Sequence, residues 1–159
     1  MPIAAGQIIT AAYLDRLENP PVAILQQTVV QSIANGVWGV ITFDTEIKDT
    51  YGGHSTVTNT SRYTVQLAGT YRVTGRAAFA NNATGSRGAR IHKNGVFIQG
   101  AANLAGAGTL AGISEASHLL DLAVGDYVEV AGGQNSGGSL STSFSGEAAS
   151  MMYIEWIHS

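Results

Sequence analysis

Thr70-Tyr71-Arg72-Val73-Thr74-Gly75-Arg76-Ala77-Ala78-Phe79 is the stretch that decides the fold. Tyr71, Val73, Gly75, Ala77 and Phe79 fall on every second position, with Thr70, Arg72, Thr74 and Arg76 between them. Successive side chains of a strand point to opposite faces, so this period of two predicts a strand buried on one side only. The same phase recurs upstream. Tyr63, Val65 and Leu67 alternate with Arg62, Thr64 and Gln66, and Ile41, Phe43 and Ile47 with Thr42, Asp44, Glu46 and Lys48. Downstream, Asn94-Gly95 sits between Ala89-Arg90-Ile91-His92-Lys93 and Val96-Phe97-Ile98, a strong type I′ hairpin signal. Further strands are expected near Ser114–Leu122, Asp126–Ala131 and Met151–Ile157. Eight to ten short strands with no helix between them predict an all-β antiparallel sandwich or jelly roll.

One helix is expected, at the N-terminus. Thr10 suits an N-cap, and Ala11, Leu14 and Leu17 recur at helical spacing until Pro20-Pro21 ends the pattern. Two to three turns are too short to be stable alone, so this helix must pack on its own domain or on a partner. The expected division is therefore an N-terminal attachment segment over 1–21 and a β domain over 22–159.

Composition narrows the class. The chain has 159 residues, 20 glycines, no cysteine and 12% charged residues. Soluble domains average roughly 25% charged residues and ~7% glycine. With 45% hydrophobic residues and a net charge of −3, general disorder is not expected. The missing cysteine excludes disulfides, a thiol nucleophile and a thiolate metal site. No apolar run approaches the ~18 residues of a membrane span, and no basic segment followed by an apolar one marks secretion. So few charges imply that copies of the chain cover much of its surface. Half of the glycines lie between Gly100 and Gly146, so 101–112 and 132–146 are expected as connectors, with exposed loops at 81–88, 101–112 and 132–146.

Charge is sorted along the chain. Residues 50–114 hold six basic residues and no acid, while 115–159 hold six acids and no basic residue. A polyanion-binding patch is one explanation. The favoured one is pairing of basic with acidic strands, within the fold or across subunits. No aromatic residues interleave the arginines as nucleic-acid stacking requires, and Tyr71 and Phe79 run out of phase with Arg72 and Arg76.

No catalytic, cofactor or metal constellation is expected. Gly106-Ala107-Gly108-Thr109-Leu110-Ala111 fits a relaxed dinucleotide fingerprint but lacks the βαβ setting that motif needs. His54, His92, His118 and His158 show no ligand spacing. Asp44 and Glu46 share a strand face as glycosidase carboxylates do, yet fit better as paired surface acids. Asp121 and Asp126 flank a turn without the oxygen-rich loop that calcium favours. Asn59-Thr60-Ser61 and Asn82-Ala83-Thr84 match glycosylation sequons in stretches that read as turns.

The order of several short motifs resembles the tumour-necrosis-factor-like jelly roll, most nearly its complement globular-head type. They are Ile41-Thr42-Phe43-Asp44, Tyr51-Gly52-Gly53, Tyr63-Thr64-Val65 leading to Ala68-Gly69-Thr70-Tyr71-Arg72-Val73, Lys93-Asn94-Gly95, Leu122-Ala123-Val124-Gly125-Asp126-Tyr127-Val128 and the closing Tyr153-Ile154-Glu155-Trp156-Ile157. The resemblance spans about 22–157, although the Gly/Ala run at 101–112 departs from the animal members. It implies a homotrimer with an apolar seam, for which Tyr127, Tyr153 and Trp156 are the candidates. Separately, Ala5-Gly6-Gln7-Ile8-Ile9-Thr10-Ala11-Ala12-Tyr13-Leu14-Asp15-Arg16-Leu17 resembles the opening of bacteriophage virion proteins, with Asp15 in place of their usual asparagine. That resemblance implies particle attachment through Ile8, Ile9, Leu14 and Leu17. Together they imply a non-enzymatic jelly-roll knob on the virion surface, made in the host cytoplasm. It would bind a phage tail or capsid protein as a minor tail, fibre or decoration component, and a host-surface glycan or protein through its loops. No nucleic acid and no membrane insertion are expected. The alternative is a bacterial or phage-encoded adhesion module for a cell-surface glycan or protein.

Overall fold

The computed structural model describes residues 10–108 and 110–158. One helix, α1 (Ala11–Glu18), precedes fourteen strands: β1 (Val22–Gln26), β2 (Ser32–Ile33), β3 (Trp38–Val40), β4 (Thr45–Asp49), β5 (Arg62–Thr64), β6 (Gly69–Phe79), β7 (Asn82–Lys93), β8 (Val96–Gly108), β9 (Gly112–Leu122), β10 (Tyr127–Gln134), β11 (Leu140–Ser141), β12 (Phe144–Ser145), β13 (Ala148–Ala149) and β14 (Met151–His158). The first sheet runs β4-β1-β14-β6-β9 and the second β3-β10-β7-β8, with β5 also paired to β10. Every pairing in both sheets is antiparallel. The expected all-β sandwich with a short N-terminal helix is what the chain forms.

Alternation in β6 does what its pattern predicts. Tyr71, Val73 and Ala77 are fully buried, while Arg72 faces out. They meet Val128, Val130 and Ile91 of the second sheet, with Leu25, Ile41, Phe43, Tyr63, Met152 and Ile154 completing the core. Gly75 has a specific packing role, since a Cβ there would stand 2.6 Å from Val130 Cγ2. Thr10 caps α1 by accepting from Tyr13 N (3.2 Å), as expected.

Several expectations need correction. Residues 81–88 and 101–112 are not exposed loops: most of each lies in the long hairpin strands β7 and β8. Asn82-Ala83-Thr84 accordingly starts a strand, whereas Asn59 does occupy a turn-type backbone (φ 51°). The reason is that β8 gains its stability from a backbone ladder to β7, which small residues allow without any period of bulky side chains. Likewise β10 extends through the glycines at 132 and 133, so the Gly/Ser connector begins only at Asn135. Ile47 does not continue the buried phase of Ile41 and Phe43 and is 55% exposed. Ile24 opposes Lys48 while Leu25 opposes Glu46, so Ile47 is the extra residue of a bulge.

The Asn94-Gly95 turn has positive φ at both residues (51° and 78°), as a type I′ turn requires. Its asparagine also clasps the neighbouring strand. Asn94 Oδ1 accepts from Tyr127 N (2.9 Å), and its Nδ2 donates to Asp126 Oδ1 (2.8 Å). Lys93 Nζ lies 2.9 Å from Asp126 Oδ2, which also accepts from Ala123 N (2.9 Å). Hydrogen bonds from Asn94, Lys93 and the Ala123 amide hold the Asp126 carboxyl well below the usual carboxylate range. A carboxyl that ionises more readily folded than unfolded stabilises above its unfolded pKa of about 4, and loses that stabilisation as acid protonates the folded form. Stability should therefore fall as pH drops below about 4. Asp126→Asn should lower the melting temperature at neutral pH and flatten that acid slope, both measured by thermal unfolding across pH.

Candidate interaction surfaces

The outward face of the first sheet is a ladder of matched polar pairs. Arg72 of β6 stands opposite Glu155 of β14, with Nη1 to Oε2 at 3.1 Å. Arg76 stands opposite Glu115 of β9, with Nη2 to Oε2 at 2.9 Å. Thr74 and Ser117 share a 2.8 Å hydroxyl contact, and Thr70 donates to Asp121 Oδ1 (2.6 Å). The basic middle of the chain thus pairs with its acidic end inside one fold. Between these pairs lie half-buried Ile24, Met151 and Tyr153, with exposed Ile113 and Leu119 on the free edge strand β9.

The outward face of the second sheet is built in rows, because directly opposed residues in antiparallel strands share a face. One row reads Arg62, Glu129, His92, Phe97 across β5, β10, β7 and β8. The next reads Val40, Ala131, Arg90, Ala102, and the third Trp38, Gly133, Gly88, Leu104. The two glycines of that third row form a floor. A Cβ at Gly133 would stand 2.7 Å from Trp38 Cδ2, and one at Gly88 would stand 2.6 Å from Trp38 Cη2 and 2.7 Å from Leu104 Cδ2. The indole therefore lies flat across two strands and reaches Leu104.

Arg90 completes this face. Its guanidinium carbon lies 4.4 Å from the Trp38 ring centroid and 5.3 Å from that of Phe97, both within cation–π range. Its Nε donates to His92 Nε2 (3.0 Å), so that nitrogen carries a lone pair. Burial lowers the Arg90 pKa from the ordinary arginine value. Burial, then the Arg90 charge, lowers that of His92 against the pull of Glu129. Glu129 itself is engaged by Ser61 Oγ (2.7 Å) and Arg62 Nε (3.3 Å), and Arg62 stacks on Tyr127 at 4.1 Å.

Beside Trp38 a depression of about 220 Å³ is lined by Gly36, Val37, Ser86, Leu104, Gln134 and Asn135, among others. Ser86, Leu104 and Asn135 come one each from the stretches 81–88, 101–112 and 132–146. These three stretches thus meet at one depression, although two of them are strands.

The proposed seam residues occupy different places. Tyr153 lies on the outward face of the first sheet. Tyr127 lies on the second, under Arg62. Trp156 packs against the core and donates from Nε1 to Ala68 O (3.3 Å). Leu14 and Leu17 are 49% and 53% exposed on α1, while Ile8 and Ile9 fall outside the described residues. Asp44 and Glu46 do not act as a pair. Asp44 precedes β4 and accepts from Thr28 N (2.6 Å) and Val29 N (2.7 Å), whereas Glu46 meets His54 Nδ1 at 2.8 Å. Among the described residues no group of three His, Cys, Asp or Glu side chains is placed to hold a metal. Trp38 and its partner Arg90 escaped the sequence reading, because only strand register brings them together.

No protein-family model matches the sequence, and no curated protein matches it. Solved structures do match. The globular domain of zebrafish complement 1qA protein has a TM-score of 0.61 at 12% identity, covering 87% of this chain and 98% of that one. Murine APRIL at pH 5.0 has a TM-score of 0.62 at 12% identity, covering 85% and 98%. The fold is thus the jelly-roll sandwich of the tumour-necrosis-factor and complement globular-head type.

The glycine floor is testable. Gly133→Ala should displace the indole and cost about 1–3 kcal/mol, as overpacking does, with a shift in tryptophan emission. Gly106→Ala, where a Cβ meets nothing within 4 Å, should stay within about 0.5 kcal/mol, both differences being measured by urea titration.

Proposed function

We propose that this chain is a non-enzymatic jelly-roll knob that works as a homotrimer on a bacteriophage particle, attached through residues 1–21 as a minor tail, fibre or decoration protein. The observation that carries the self-association is the self-satisfied face of the first sheet. Its arginines and hydroxyls already have partners within the sheet, so covering it with a neighbour leaves few polar groups unpaired. Ile24, Met151 and Tyr153 supply the apolar centre, and Ile113 (41% exposed) and Leu119 (54%) an apolar edge. An edge that packs on the face of the next copy is a heterologous contact, which closes into a ring under cyclic symmetry. The jelly-roll likeness favours three copies. The seam in this arrangement runs through Tyr153.

Attachment to a particle rests on the N-terminal segment. Helix α1 has eight residues and exposes both of its leucines, so a partner surface is what would stabilise it. A structural role also fits the side chains that otherwise suit catalysis. His54 is spent on Glu46 and on Thr60 O (3.1 Å), Asp44 on the 28–29 backbone and Asp126 on the hairpin clasp. The second reading, an adhesion module for a cell-surface glycan or protein, is favoured by the exposed aromatic face around Trp38.

Light scattering coupled to size-exclusion chromatography should give about three times the 16.5 kDa chain mass at micromolar concentration. A stable monomer overturns the assembly. Leu119→Glu should shift the protein towards monomer, since it places a charge in the seam without touching the core. Deleting residues 1–20 should leave the trimer intact and abolish incorporation into particles.

A further inference from the structure

The arginines of the two sheets, with Lys93, differ in one respect. Arg62, Arg72, Arg76 and Lys93 each have a carboxylate partner, at 3.3, 3.1, 2.9 and 2.9 Å. Arg87 is buried, with its guanidinium donating to the carbonyls of Asn82, Thr84 and Ser86 at 2.9–3.0 Å. Arg90 has neither. Its Nε is taken by the neutral nitrogen of His92, its guanidinium carbon lies over the rings of Trp38 and Phe97, and both terminal amino groups lack a hydrogen-bond partner among the described residues. A half-buried guanidinium, oriented by two rings and unmatched by any acid, is preorganised for an anion from outside. Little side-chain entropy remains to be lost on binding.

What adjoins it gives the ligand its shape. Trp38 and Leu104 form one continuous apolar shelf over the glycine floor. The depression beside them, at about 220 Å³, lies below the 300 Å³ or so of a drug-sized pocket and suits a single ring. At its rim, exposed Asn135 accepts through Oδ1 from Ser86 N and Ser86 Oγ, which leaves its Nδ2 donors without a hydrogen-bond partner among the described residues. An amide with two free donors, a hydroxyl able to accept, an apolar shelf and one oriented cation match a pyranose that bears an oxyanion. An acidic peptide would use the cation but has less need of the rim amide and hydroxyl.

We propose that Trp38, Arg90, Leu104, Ser86 and Asn135 form a binding site for one acidic sugar residue of a surface glycan, with its anionic group on Arg90 and its ring against Trp38 and Leu104. The site lies on the second sheet, away from the first-sheet face assigned to self-association, so it does not depend on the trimer. Carboxylate and sulfate share the required chemistry, two oxygens set to accept from the paired amino groups of the guanidinium.

The test is a titration of the full chain by calorimetry and tryptophan fluorescence. Four probes are needed: a hyaluronan hexasaccharide (carboxylate), a uronate-free carrageenan hexasaccharide (sulfate), neutral maltohexaose and hexaglutamate. Saturable binding to at least one acidic saccharide is expected, with a change in tryptophan emission and no binding of maltohexaose. Arg90→Gln should weaken that binding about tenfold or more, the loss expected for a charged hydrogen-bond partner. Asn135→Asp retains the acceptor for Ser86, replaces the donors with a repelling charge and should weaken it comparably, which keeps the test decisive if the arginine variant folds poorly. Both variants should keep the oligomeric mass of the parent, which separates this site from the assembly. No binding of either acidic saccharide, unchanged binding by the variants, or equal binding of hexaglutamate would overturn the proposal.

Discussion

The antiparallel register of β6 between β14 and β9 controls what the rest of this surface can do. It sets Arg72 directly opposite Glu155 and Arg76 directly opposite Glu115, residues 83 and 39 positions apart in the chain. An exposed pair of this kind adds little stability, roughly 0–1 kcal/mol. Its larger effect is on what can lie against the sheet. A one-residue slip would turn every arginine of β6 inward and every core residue outward, so the buried row Tyr71, Val73, Ala77 and the outward ion pairs enforce each other.

Glycine plays two parts. At Gly95 it supplies the backbone conformation that a tight hairpin needs, which the Asn-Gly dipeptide announces. At Gly88 and Gly133 it supplies absence: a sheet surface low enough for an indole to lie flat across neighbouring strands. Both uses look alike in a composition. The expectation that late glycines belong to connectors therefore holds at 137, 138 and 146 and fails at 106, 108, 112, 132 and 133, which are in strands.

What was legible in the sequence follows from this. Strands with one bulky face, such as β5 and β6, show their period of two, because burial demands large apolar side chains at alternate positions. β7 and β8 carry alanine, glycine and serine where they pair most closely, so their ladder leaves no hydrophobic rhythm. β1 was also unmarked, since Val22-Ala23-Ile24-Leu25 is apolar at every position and alternation is invisible there, although only Ala23 and Leu25 are buried. The aromatic face was beyond reach for a further reason. Trp38, Gly133, Gly88 and Leu104 are neighbours only once four strands are paired, and no local spacing records that.

The two faces of the sandwich now differ in electrostatic kind. On the first, Arg72 and Arg76 are cancelled in place by Glu155 and Glu115, with apolar residues lying between the pairs, a surface suited to burial against its own copy. On the second, three rings, those of Trp38, Phe97 and Tyr127, hold two guanidinium groups. Arg62 is neutralised by Glu129, while Arg90 is not. Leaving one desolvated cation unmatched costs stability, since its burial already lowers its pKa. A face that needed only to pack or to be soluble would gain from an acid opposite Arg90, where Ala131 and Ala102 stand instead. The two alanines keep the guanidinium open, and that is the strongest reason to assign this face to a ligand and the other to the assembly.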